Sequence, residues 1–251
     1  MESFLNGRRQ PVDVVRDILK IRFPEALFAF VAGSFQRGEA TISSDIDLVV
    51  IFEKLDFAWR ESFIFEGWPV EAFVHDPETL NYFFNEVDGK DGQLSLPSMV
   101  SEAVVVPFDS EKSQQLKKMA EKLLAQNAPK WSDETIYHQR YGITDLIDDL
   151  RTPRNKLEAN IVIGALHETL GNFYFRSRSL WSASKKHIPR QLLKHDRVLG
   201  ERWIDSFSKA YAGEYANLIA LTEEIVNPYG GLFFDGYKRT APKEWRIPVV
   251  L

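Results

Sequence analysis

The 251-residue chain contains no cysteine. That absence excludes a disulfide framework, a thiolate zinc site, an iron–sulfur cluster and a cysteine nucleophile. Any metal must be held by oxygen ligands or by the five histidines, and no two of these show His-x-x-x-His spacing. Long hydrophobic runs are missing as well. The longest strongly apolar stretch, 26–33, is far short of the roughly 20 residues that a membrane-spanning helix needs. The first ten residues hold Glu2, Arg8 and Arg9 but no apolar run with a small-residue cleavage site. No signal peptide and no membrane partner are therefore expected, and the expected location is the cytoplasm. Basic charge is also in short supply. With 31 Lys and Arg against 36 Asp and Glu, the net charge is −5, which argues against sequence-independent binding of nucleic acid.

What is present is the composition of an ordinary soluble globular chain, 44% apolar and 27% charged, enough for one large domain or two modest ones. The charge is unevenly spread. Residues 1–128 carry 13 basic and 21 acidic residues, whereas 129–251 carry 18 and 15.

The pattern along the chain changes at the same place. Pro11 to Phe23 places Val14, Val15, Ile18 and Leu19 on one helical face, with Pro11 suited to the first turn. Ala26 to Val31 and Asp45 to Phe52 read as strands separated by a polar turn, Ser34 to Ser44. Arg60 to Phe65 and Val70 to Val74 flank Glu66-Gly67-Trp68-Pro69 and read as a hairpin. A helix over Pro77 to Val87, a short strand over Ala103 to Pro107 and a helix over Ser110 to Gln126 follow. Strand signals stop at Ala128-Pro129-Lys130, the expected boundary between a domain over 1–128 and one over 129–251. Beyond it the pattern is helical. Ile143, Leu146, Ile147 and Leu150 form one stripe, and Lys156 to Phe175 is apolar nearly all round, as for the central helix of a bundle. The segment from Asn227, rich in Gly, Pro and aromatics, suits a packed irregular tail. The expected fold class is α+β: a small mixed β-sheet flanked by helices, then a C-terminal α-helical bundle.

The chemistry is concentrated in Val31 to Val50. Residues two apart in a strand point to the same face, so Asp45 and Asp47 project together while Ile46 and Leu48 turn to the other side. Adjacent carboxylates repel unless a cation lies between them. Hard oxygen ligands suit Mg²⁺, which is commonly held by one or two carboxylates and completed by substrate phosphates. Gly33-Ser34, at the exit of a buried strand, allows close approach of backbone and ligand, and a helix opening at Ser34 would add an anion site. Glu71, an acid in an otherwise apolar strand, offers a third carboxylate. Three acids on neighbouring strands can hold two Mg²⁺ ions about 3.5–4 Å apart, the arrangement for in-line phosphoryl transfer.

This order of apolar strand, Gly33-Ser34, Arg37-Gly38 and Ser44-Asp45-Ile46-Asp47 resembles the nucleotidyltransferase superfamily of DNA polymerase β. The added helical domain is similar to the antibiotic-modifying, kanamycin-type branch. The resemblance implies transfer of a nucleoside monophosphate, AMP from ATP, to a hydroxyl of a small-molecule acceptor, with release of pyrophosphate. It places Asp45, Asp47 and Glu71 on two Mg²⁺ ions, and Gly33, Ser34, Arg37 and Ser44 on the nucleotide, with phosphates held between the two domains.

In the helical domain the resemblance implies a lysine on the nucleotide phosphates, which Lys185 or Lys186 of the basic run Lys185-Lys186-His187-Ile188-Pro189-Arg190 would match, the alternative being a solvated basic face. Asp145, Asp149 and Glu168 are the candidates for a general base, with Glu168 read as a buried acid in an apolar helix. An acidic N-terminal half would attract a polycationic, aminoglycoside-like acceptor. Two alternatives stay open: a protein or tRNA acceptor, as in antitoxin-like minimal nucleotidyltransferases, and a nucleotide-binding module without catalysis. A homodimer is compatible with the resemblance.

Overall fold

The computed structural model describes residues 7–36 and 38–249. The chain divides into two compact units, Met1–Pro129 and Lys130–Leu251. Each has its own buried apolar cluster. No described helix is long and apolar enough to cross a membrane.

The first unit opens with α1 (Pro11–Arg22), with Pro11 in the first turn and Val14, Val15, Ile18 and Leu19 buried. Strands β1 (Phe28–Ala32), β2 (Ile46–Ile51), β3 (Trp59–Phe65), β4 (Trp68–His75) and β5 (Val104–Val106) form one mixed sheet in the order β3-β4-β2-β1-β5. Only β2 and β4 run parallel; the other neighbours are antiparallel. The β3–β4 connection is tighter than the pattern suggested. Glu66 and Gly67 alone turn the chain, with φ of 47° and 77°, the pair of left-handed residues that a two-residue hairpin requires. Trp68 and Pro69 therefore belong to β4.

Alternation then sorts the side chains. Ala29 and Val31 of β1, Ile46, Leu48 and Val50 of β2, and Val70, Ala72 and Val74 of β4 join the α1 residues in one core. The residues between them, including Asp47 and Glu71, face the other side of the sheet. Helix α2 (Pro77–Tyr82), capped by Asp76, runs into a widened π-helical turn, Phe83–Asp88. A single turn, α3 (Gly89–Asp91), and α4 (Ser95–Glu102) precede β5, and α4 packs on β1 and β2. Helix α5 (Glu111–Leu124) starts in a reciprocal Ser110/Ser113 capping box, a strong helix-start signal.

The second unit consists of α6 (Asp133–Arg151), α7 (Lys156–Ser177), α8 (His187–His195), α9 (Arg197–Ala212) and α10 (Ala216–Val226). Side-chain caps at Ser132, Asn155 and Asp196 start α6, α7 and α9. Of the stripe, Ile143, Ile147 and Leu150 are buried as the spacing predicts, and Leu146 is partly buried against the same core. Helix α7 departs from the expectation of a helix buried all round. Ala159, Ile163, Leu166 and Leu170 bury one face along its length and Phe173 to Ser177 are all buried, but Leu157 and Ile161 are 70% and 64% exposed, so only its C-terminal end is enclosed all round. Pro189 stands at a helix start. It occupies the first turn of α8, where a missing N–H breaks no helical bond. After α10 the tail packs as far as Tyr237, which stacks on Tyr141 at 3.6 Å, while Arg140 donates to the carbonyls of Gly230 and Gly231. Beyond it the expectation of a packed tail fails, since Trp245, Ile247 and Val249 are 75%, 90% and 74% exposed.

Candidate active site

Two strand registers build the acidic cluster. Asp47 in β2 lies opposite Ala32 of antiparallel β1 and beside Glu71 of parallel β4. Asp45 immediately precedes β2, two residues from Asp47 and on the same face. One ligand oxygen from each of Asp45, Asp47 and Glu71 can be chosen so that all lie within 4.8 Å of one another. Ile46 and Leu48, on the opposite face, are wholly buried and anchor the strand that carries two of the three acids.

Gly33 closes the other side. Its φ is +107°, a backbone conformation that only glycine adopts without strain. A Cβ at this position would meet Asp47 Oδ2 at 3.0 Å. The glycine is thus required both by the turn and by the carboxylate above it. Ser34 follows in a turn rather than at the start of a helix, which corrects the expectation of a helix N-terminus here. The turn is closed by Glu39 N–H donating to Ser34 O at 2.9 Å. Ser34 Oγ donates to Ser44 Oγ at 2.9 Å, and Ser44 Oγ also accepts from Thr41 N–H at 2.8 Å. The two serines expected to meet the nucleotide therefore touch each other across the base of the turn. Arg37 lies outside the described residues.

Arg60 was not singled out by its sequence. It forms an ion pair with Glu71 and lies over the Phe73 ring at 4.8 Å. The hairpin register pairs Ser62 with Glu71, so Arg60 is the diagonal neighbour on the same face. The signal was the two-residue turn; a four-residue turn shifts the register and moves Arg60 away.

The cluster fits a divalent cation by its donor set, three carboxylates with no nitrogen or sulfur among them, as Mg²⁺ prefers. The remaining candidates lie in the helical unit. Asp145 and Asp149 are exposed on α6, and Glu168 is exposed on α7, not buried as expected, because its helix turns that side to solvent. Lys185 and Lys186, just before α8, are exposed and border a pocket.

Residues 12–131 match the family model of the nucleotidyltransferase domain. Among solved structures, a nucleotidyltransferase-like protein from Exiguobacterium sibiricum 255-15 is similar at 12% identity and a TM-score of 0.41, over 87% of this chain and 75% of that one. No curated protein matches the chain.

Proposed function

We propose that this chain, a transferase whose residues 12–131 form a nucleotidyltransferase domain, moves a nucleoside monophosphate from Mg·ATP to a hydroxyl of a small-molecule acceptor and releases pyrophosphate. The observation that carries this reading is the convergence of Asp45, Asp47 and Glu71 above a glycine whose Cβ would crowd one of them. When bound there, Mg²⁺ would neutralise charge on the phosphate oxygens and align the reacting groups.

The geometry supports a role for several of the chain's own residues. Asp45, Asp47 and Glu71 supply the cation's oxygen ligands. Gly33 leaves room for a phosphate beside the backbone. Ser34 and Ser44 present hydroxyls that can exchange their mutual hydrogen bond for bonds to phosphate oxygens. The acceptor oxygen forms a bond to the α-phosphorus as the bond to pyrophosphate breaks, and the acceptor's proton passes to a carboxylate; Asp145, Asp149 and Glu168 are the candidates. The excess of acid in residues 1–128 favours a cationic acceptor of the aminoglycoside type.

The test compares wild type with Asp47→Asn in pyrophosphate release from ATP and Mg²⁺ across a panel of hydroxyl acceptors. Loss of the carboxylate should cost about 100-fold or more in rate, the scale of a removed electrostatic stabiliser. Equal rates in the two proteins would sink the assignment. Labelled macromolecules in a lysate, without any small-molecule product, would instead identify a protein or tRNA acceptor.

A further inference from the structure

The helical unit holds a pocket of about 370 Å³ whose lining includes His167, Lys185, Lys186, Trp203, Phe207 and Tyr211. All of these residues follow the nucleotidyltransferase domain in sequence, and none is an acid. Among the described residues neither Lys185 nor Lys186 is ion-paired, whereas Arg151, Arg197, Arg202 and Lys209 of the same unit each engage a carboxylate. Two lysines without an ion-pair partner among the described residues therefore border a mainly apolar hollow.

Its floor is aromatic. Trp203 is 1% and Phe207 6% exposed, with centroids 4.8 Å apart. His167 meets the edges or faces of both, at 5.6 and 5.0 Å. Ile204 and Tyr211, at 44% and 45% exposed, form an open rim. The imidazole is pinned from both sides. Trp203 Nε1–H donates to His167 Nδ1 at 3.4 Å, so Nε2 carries the proton and donates to Lys185 O at 3.0 Å. Lys185 itself has φ +46°, uncommon for a residue with a side chain and characteristic of backbone held by its surroundings at ligand clamps. The aromatic floor thus fixes the backbone that presents the two lysines.

We infer that this pocket is a binding site for a small organic anion, a carboxylate or phosphate ester carrying a flat apolar body. The body would lie against Trp203 and Phe207, and the charge would meet Lys185 and Lys186. Ser208 and Tyr211 add hydroxyl partners at the rim. The inference needs no nucleotidyl transfer, and it gives the two lysines a ligand other than the nucleotide.

Isothermal titration calorimetry of the full-length protein with 2-naphthoate, and with its neutral isostere 2-naphthamide, tests the site. The acid should bind about tenfold more tightly than the amide. It should lose about tenfold in Lys185→Gln/Lys186→Gln, and bind poorly to Ile204→Trp, which fills the hollow from its exposed rim. Asp47→Asn should bind 2-naphthoate like wild type, which separates this site from the transfer reaction. Failure of wild type to bind 2-naphthoate, equal affinity for acid and amide, unchanged affinity in the lysine variant, or displacement of 2-naphthoate by Mg·ATP would each overturn the proposal.

Discussion

A single methyl group on Gly33 would meet the Asp47 carboxylate at 3.0 Å and force a side chain into φ +107°. Gly33→Ala should therefore cost about 1–3 kcal/mol of stability. It should also lower transfer roughly 10-fold to 100-fold by displacing a ligand that must be positioned to better than an ångström. Denaturant titration and the pyrophosphate assay together check both effects. His75 offers a second residue-scale test. It is 2% exposed at the end of β4, and burial, opposed by neighbouring Asp76, brings its pKa down from 6.5 to about 4. A histidine kept neutral in the folded state binds its proton first in the unfolded state. Its contribution is thus fully present above pH 6.5 and is lost as pH falls from there to about 4, about 3 kcal/mol in total. Wild type should lose more stability between pH 7 and pH 4.5 than His75→Leu, measured by urea unfolding at each pH. Asp47 and Asp45 were legible because a strand's two-residue period needs no tertiary information. Arg60 was not, since its place beside Glu71 depends on a hairpin register.

At the scale of elements, close approach is decided by glycines that have no partner in the local pattern. Gly200 in α9 faces α8, and a Cβ there would come within 2.7 Å of Leu193 N and 2.9 Å of Leu193 Cα. Those atoms belong to a helix backbone and cannot swing aside. Gly200→Ala should cost about 1–3 kcal/mol through overpacking, read as a lower urea midpoint with unchanged slope. It should leave the carboxylates of residues 45–71 untouched. The helices α1, α5 and α6 were readable from their apolar period, as was the hairpin from its Gly-containing turn. The parallel pairing of β2 with β4 was not, because a 3.6- or 2-residue period reports which face is buried and not which strand lies alongside. Without that pairing Glu71 is merely an acid in a strand; with it, Glu71 stands beside Asp47. The exposed Leu157 and Ile161 of α7 show the converse, two apolar residues that composition assigns to a core and packing leaves outside.

At the scale of the whole chain, each of the two units has its own core and should be stabilised by the ligand that it binds. A nonhydrolysable ATP analogue with Mg²⁺ should stabilise the unit that carries the carboxylates by about 2.7 kcal/mol when present at a hundredfold excess over its dissociation constant. Calorimetric scans should show that gain vanish with a chelator and in Asp47→Asn, while 2-naphthoate should stabilise the helical unit in both. The net charge of −5 conceals this division: the acidic half holds the carboxylate cluster, and the half richer in lysine and arginine holds the pocket without an acid.

The sequence alone carried the Gly33-Ser34 turn and the Asp45/Asp47 pair, whose order resembles the nucleotidyltransferases, and the family match over residues 12–131 supports a transferase. The sequence also determined the α+β class, because hydrophobic period is a local property. The tertiary structure decided which residues stand together across distance. Strand register set Glu71 against Asp47 and Arg60 against Glu71, and helix packing brought His167, Trp203 and Phe207 beneath two lysines. Such juxtapositions arise from pairing and close packing between segments far apart in the chain, for which no local spacing carries a signal.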